Sequence, residues 1–169
     1  MAFAVASCAA PVPALRGVFR DTAAPIYSSA VLDADRLEGR WVQAAAFMGP
    51  DAPNCRAGGV DITRKPAGLK AVLRLCLSGT EVRASGALEP AGPGRFALSG
   101  AAKPGLGEPW WVLWADADYR TLVIGTPSGR FGFILNRAQG SLSPDRLVAA
   151  REILDWNGYD LDQLRVLAK

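Results

Sequence analysis

From about residue 40 onward the chain falls into short apolar runs of strand length, separated by Gly, Pro and Ser. The runs lie at residues 40–48, 58–65, 69–77, 80–88, 94–101, 109–115, 120–125 and 130–137. Turn signals recurring about every eight to twelve residues predict an antiparallel barrel or sandwich. "TLVIG" and "RFGFIL" are the clearest strands, rich in β-branched and aromatic residues, and "GTPSG" joins them as a hairpin. "ALEPAGPGRFALSGAAKPGLGEP" is dense in Gly and Pro and predicts a short or irregular strand. Then the period changes. In "SLSPDRLVAAREILDWNG", Ser143 is placed to cap a helix, with Pro144 at its first position and Gly158 as its stop. Leu142 and Leu147 can staple its start, and Leu147, Ala150, Ile153 and Leu154 form one apolar stripe. Such a stripe after eight strands predicts a helix lying on the outer wall. "YDLDQLRVL" predicts a short turn and a ninth strand or edge segment.

Eight strands closed on themselves leave an interior just wide enough for side chains or one small ligand. Strict alternation then assigns the faces. If Trp41 points inward, so do Gln43, Ala45 and Phe47, with Ala45 keeping the lumen open and Phe47 lining its upper part. Trp110, Val112 and Trp114 share one face, and Phe131, Phe133 and Leu135 share another. Together these side chains predict an apolar cavity wall, although aromatic faces can equally fill a barrel or pack beneath a helix.

Composition narrows the function classes. A chain of 169 residues is the size of one domain and can bury a core without metals. A net charge of +3, from 19 basic and 16 acidic residues evenly spread, gives no footprint for nucleic acid. No apolar run approaches the roughly 20 residues of a membrane-spanning helix. There is no histidine, which disfavours triad hydrolases and most zinc sites. The three cysteines include no C-x-x-C pair. Asp116 and Asp118 are too few for a metal site, so neither metal nor cofactor is expected.

The cysteines carry two further expectations. Val5-Ala6-Ser7-Cys8 has the form of a bacterial lipobox, in which small residues precede a lipid-modified cysteine. Only seven residues precede Cys8 and none is basic, which leaves either the stub of a lipoprotein signal or an incidental thiol. Pro11, Pro13 and the Ala-rich sequence around them suit a tether, so residues 1–31 read as signal remnant and linker ahead of a domain at 32–169. Cys55 and Cys76 flank a strand–turn–strand unit centred on Lys65-Pro66. A simple hairpin there sets them opposite each other, as a disulfide or as two buried thiols.

Three segments resemble a known family. "LEGRW" resembles the G-x-W signature of the lipocalins, with Gly39 and Trp41 as its anchors. "ADADYRTLVIG" resembles their second signature, with Asp118 and Tyr119 in the turn before a strand, and "FGFILNR" resembles the third, ending on Arg137. The text around "PWWVLWADADYR" is similar to the bacterial outer-membrane, Blc-like branch, and the resemblance spans roughly Leu32 to Val166. It implies an eight-stranded up-and-down β-barrel with one external C-terminal helix. In it Trp41 closes one end, and Arg137 stacks on the indole while bonding carbonyls near Ala34 to Leu37. The chain departs from that branch in its first strand, W-V-Q-A-A-A-F where W-Y-E-I-A-R-F is common.

The implied function is lipid binding. A fatty acid, lysophospholipid or other apolar ligand would sit among Ala45, Phe47, Trp110, Val112, Trp114, Phe131 and Phe133, with Arg95 or Lys103 near an anionic head group. An anchor on Cys8 would make the protein an outer-membrane lipoprotein facing the periplasm, the alternative being a soluble periplasmic protein. A homodimer stays open. Two other readings stand beside this one. One is an enzyme on the same fold, built from Cys76, Tyr119, Glu81 or the Asp116/Asp118 pair. The other is a barrel filled by its own aromatics, with a structural or interaction role.

Overall fold

The computed structural model describes residues 17–100 and 106–167. Eight antiparallel strands follow one another in sequence: β1 (Gly39–Phe47), β2 (Gly59–Lys65), β3 (Gly68–Leu77), β4 (Thr80–Gly92), β5 (Arg95–Leu98), β6 (Trp110–Ala115), β7 (Thr121–Gly125) and β8 (Gly132–Arg137). Each pairs with the next, and β1 pairs with both β2 and β8, so the sheet closes into a barrel. The expected runs match these strands closely, except that β4 is longer and β5 shorter. Gly and Pro around residues 90–94 shift the β4–β5 register between Pro90 and Gly92.

The helix α1 (Pro144–Trp156) is capped by Ser143, whose hydroxyl accepts from the Arg146 backbone N–H. Ala150 and Leu154 are fully buried against the barrel, with Leu147 and Ile153 half-buried beside them. Arg146 pins the start of the helix: its guanidinium donates to Thr121 Oγ1 at 2.6 Å and Asn136 Oδ1 at 2.8 Å. At the other end Gly158 takes a φ of 81°, which lets the chain turn back. A last strand, β9 (Leu164–Val166), pairs with the far half of β1.

Residues 17–31 are not the linker expected of them. Phe19 and Arg20 are buried, and Arg20 forms a bridge with Tyr159. The Arg20 guanidinium donates to the carbonyls of Asn157 at 3.0 Å, Pro127 at 2.8 Å and Ala24 at 2.5 Å. A segment that satisfies a buried cation in this way belongs to the fold. Cys8 lies outside the described residues.

Two buried clusters result. One fills the barrel and runs from Leu37 and Trp41 at one end to Met48, Leu77, Leu106 and Phe131 at the other. The second lies between the outer wall, α1 and the N-terminal segment, and holds Phe19, Phe47, Leu113, Ile134, Leu154 and Tyr159.

Candidate functional site

The closed end forms as the motifs imply. The Trp41 indole N–H donates to Leu37 O at 2.8 Å, and the Arg137 guanidinium lies 3.9 Å from the ring centroid. Arg137 also donates to Tyr119 O at 2.9 Å, Glu38 O at 2.7 Å and Arg36 O at 2.6 Å. A cation with fixed forked donors suits that three-carbonyl task as an ammonium would not. Gly39 has φ 123° and faces the guanidinium, so a side chain there would be both strained and blocked. Tyr119, at φ 54°, accepts from the Asp33 N–H through its hydroxyl at 2.7 Å, and Arg36 stacks 4.2 Å over its ring.

The acid of this turn is Asp116 rather than the expected Asp118. Asp116 is buried, and its Oδ1 accepts from the N–H of Arg120 at 2.6 Å and of Thr121 at 2.5 Å. Asp118 is exposed and makes one ion pair, with Arg120 at 3.0 Å. The Asx-type geometry needs the acid ahead of the tight turn, where its oxygens meet two successive N–H groups.

Strict alternation fails twice along the walls. The β1–β8 register shifts between Gln43 and Ala45, and the β6–β7 register shifts between Val112 and Trp114. Each bulge turns the rest of its strand to the other face. Ala45 and Phe47 therefore point outward beneath the helix, and Ala46 and Met48 take the inward places. Trp114 likewise lies on the outside, against the Leu113 cluster. Trp110, Val112, Phe131 and Phe133 do face the lumen as expected. Trp110 meets Phe133 edge-on at 5.5 Å and Phe131 at 6.3 Å, and the two Phe rings stack at 6.0 Å. Arg95 is directed outward, 3.7 Å over the ring of Trp111, away from the lumen.

The opposite wall sets small residues among Leu and Val side chains, from the Leu69–Leu88 pair to the Leu75–Val82 pair. Ala71 pairs with Gly86 and Leu73 with Ala84 across β3–β4, all on the inward row. With eight strands, β4 stands across the barrel from β8, so these small positions face the aromatic wall. The open end is covered in the structure. Met48, Leu77, Leu106 and Phe131 are each no more than 1% exposed. A pocket of about 990 Å³ lies along β1–β4, lined by outward-row residues such as Arg40, Val42 and Arg74 and by the inward-row residues Trp41, Val60, Leu73 and Ala84.

Sequence reasoning missed the polar stitch beside the mouth. Gln43 is wholly buried, and its amide donates to Cys76 O at 2.7 Å and accepts from Cys76 N at 2.8 Å. It bridges β1 to β3 where β2 has ended. Cys55 and Cys76 form a disulfide across 5.8 Å between Cα atoms. The hairpin turns at Pro66-Ala67, one residue later than expected, so Cys55 reaches Cys76 from the β1–β2 loop rather than from an opposed strand position.

A closed eight-stranded antiparallel barrel with one helix on its outside defines a lipocalin fold. Residues 32–169 match the family model for the lipocalin-like domain, and the chain belongs to that family. Among solved structures it is similar to the siderocalin Ex-FABP, described as functioning through dual ligand specificities. That likeness has 15% identity and a TM-score of 0.57, over 79% of this chain and 95% of that one. It is also similar to Per a 4, a major allergen from cockroaches, at 13% identity and a TM-score of 0.58, over 87% of this chain and 95% of that one. No curated protein sequence matches.

Proposed function

We propose that this protein is a binding module that takes one small hydrophobic molecule into its barrel. The observation that carries the reading is the asymmetry of the interior. Trp110, Phe131 and Phe133 form an aromatic wall, and the inward row of β3–β4 across from it sets the small residues Ala71, Ala84 and Gly86 among Leu69, Leu73, Leu75, Val82 and Leu88. Core packing alone does not call for that division, whereas a flat or elongated guest would lie along it. Affinity would come from apolar burial, about 25 cal/mol per Å² before the costs of ordering. The mouth side chains pack against one another, so uptake requires the loops at that end to part. Fatty acids and lysophospholipids are the candidates to test first.

The same proposal includes a lipid anchor on Cys8, which would tether the domain in a bacterial envelope facing the periplasm. It also holds that the protein binds rather than catalyses. The candidate catalytic groups all have structural employment: Cys76 in the disulfide, Tyr119 and Asp116 in the closing turn, Asp118 in an ion pair with Arg120, and Glu81 between Arg74 and Arg83. A neighbour described as having dual ligand specificities supplies a precedent on this fold.

A second reading, a barrel filled by its own side chains, is favoured by the closed mouth. Native mass spectrometry and solvent extraction of freshly purified protein separate the two, followed by displacement of an apolar dye by fatty acids and lysophospholipids. Saturable one-to-one binding is the result expected. Protein that carries no adduct and takes up no dye would establish the filled barrel instead. For the anchor, labelled palmitate should enter the wild-type protein and not Cys8→Ser.

A further inference from the structure

Among the described residues, one buried side-chain polar atom has no partner. Trp110 is 6% exposed, and its Nε1 is buried with no hydrogen bond among the described residues. The other polar groups of the interior are paired. The Trp41 indole N–H meets Leu37 O, the Tyr119 hydroxyl accepts from Asp33 N, and Gln43 is bonded to both backbone groups of Cys76. Two inward-facing indoles are thus treated differently by one barrel. A buried donor left unmade costs about 1–3 kcal/mol, and an aromatic face is at most a weak substitute acceptor. Trp110 stands at the start of β6, at the open end, and edge-on contacts with Phe131 and Phe133 hold its ring.

Among the described residues the buried charged side chains are Arg20, held under the N-terminal segment by Asn157 O and Pro127 O, and Asp116, held in the turn before β7, and neither is placed in the barrel interior. A carboxylate or ammonium brought into that interior would lose its hydration and gain no counter-charge. We infer that the ligand is a neutral apolar molecule bearing one oxygen acceptor, a ketone, ester or hydroxyl, and that this oxygen accepts a hydrogen bond from Trp110 Nε1. The inference rests on the proposed binding function and narrows it from lipids at large to uncharged, singly polar ones. Trp110 then sets the orientation of the guest: the oxygen lies near the mouth and the hydrocarbon runs down toward Trp41.

The test uses four probes of equal chain length, an alkane, a methyl ketone, a primary alcohol and a carboxylate, titrated against delipidated full-length protein by dye displacement. The ketone and alcohol should bind about three- to tenfold tighter than the alkane, the range that one net hydrogen bond provides. Trp110→Phe should abolish that preference, so that the ketone and alcohol bind no tighter than the alkane measured in the same variant. A readout without mutation comes from ¹⁵N-labelled indoles, of which the chain has five. One indole N–H resonance should move downfield with the ketone and not with the alkane, while that of Trp41 stays fixed. Alkane binding with no preference for the oxygenated probes would overturn the inference and leave the binding function standing. So would tightest binding of the carboxylate, or a preference that survives in Trp110→Phe. If none of the four binds, both fall.

Discussion

Gln43 is hydrogen-bonded to Cys76 through both ends of its amide, at 2.7 and 2.8 Å, and both residues are fully buried. The side chain acts as a substitute peptide. β2 starts only at Gly59 and β9 takes over as the neighbour of β1 from Ala45; in the gap between them Gln43 N donates to Gly58 O and the Gln43 amide reaches past Gly58 to β3. Gly58 lies between them, and no Cβ would fit there against the backbone of Arg74. Gln43→Leu keeps the volume and removes both bonds, leaving buried backbone groups unpaired. We expect a loss of about 2–4 kcal/mol, from two orphaned groups at roughly 1–3 each. Urea unfolding with the disulfide intact measures it, and a variant as stable as wild type would show that the stitch contributes nothing.

Arg137 should matter to stability rather than to binding. Its three carbonyl acceptors and the Trp41 face lie at the closed end, away from the aromatic wall. Arg137→Ala is expected to cost about 2–4 kcal/mol, combining a cation–π contact of about 1 kcal/mol with the loss of charge-assisted bonds. Arg137→Lys should recover only part of it, because an ammonium cannot span three carbonyls in a fork. Thermal unfolding of the two variants gives the ranking. Equal melting temperatures for Ala and wild type would count against the closure.

Gly125 and Gly132 are register partners in β7 and β8, and together they leave a notch in the outer wall. The Tyr159 ring fills it. Its hydroxyl accepts from Thr126 N and donates to Phe131 O, each at 2.9 Å, and the ring stacks on Phe47 at 4.8 Å. A Cβ on Gly132 would come within 2.8 Å of the Tyr159 ring and 2.9 Å of Phe47. Gly132→Ala should therefore destabilise by about 1–3 kcal/mol, the usual cost of overpacking. At Gly49 a Cβ would meet nothing within 4 Å, so Gly49→Ala is the control and should fall within about 0.5 kcal/mol of wild type. Chemical denaturation of the pair decides, and equal effects would remove the notch from the account.

These residues also mark how far the sequence could be read. Strand positions, the capped helix, the terminal strand and the Trp41–Arg137 closure were all legible, because turn chemistry, period and motif agree there. The faces of β1 and β6 were not. A bulge near Ala44 or Leu113 leaves no local mark in a run of apolar residues, yet it exchanges lumen for outer wall in everything beyond it. That is why Ala45, Phe47 and Trp114 were expected inside and lie outside. The glycine pair offered a hint, since Gly125 and Gly132 flank one hairpin turn symmetrically. What filled their notch, a tyrosine almost thirty residues on, depends on the path of the helix. The orphaned Trp110 donor is a property of the assembled interior and was not visible in the chain at all.

The turn at Asp116 predicts the acid limit of the fold. Burial alone would push its carboxyl up, but the N–H groups of Thr121 and Arg120 and the Arg120 guanidinium outweigh it and hold the group below the ordinary carboxylate range. A folded-state pKa below the unfolded one favours the ionised native form. The stabilisation is fully present above the unfolded value, near 4, and is lost as pH falls from there through the lower folded value. Asp116→Asn keeps an acceptor for the two N–H groups but cannot ionise. It should be less stable than wild type at neutral pH, and the gap should shrink as pH drops below about 4. Urea midpoints across that range test this directly. A gap that stays constant with pH would mean that the charge of Asp116 contributes nothing and only its shape matters.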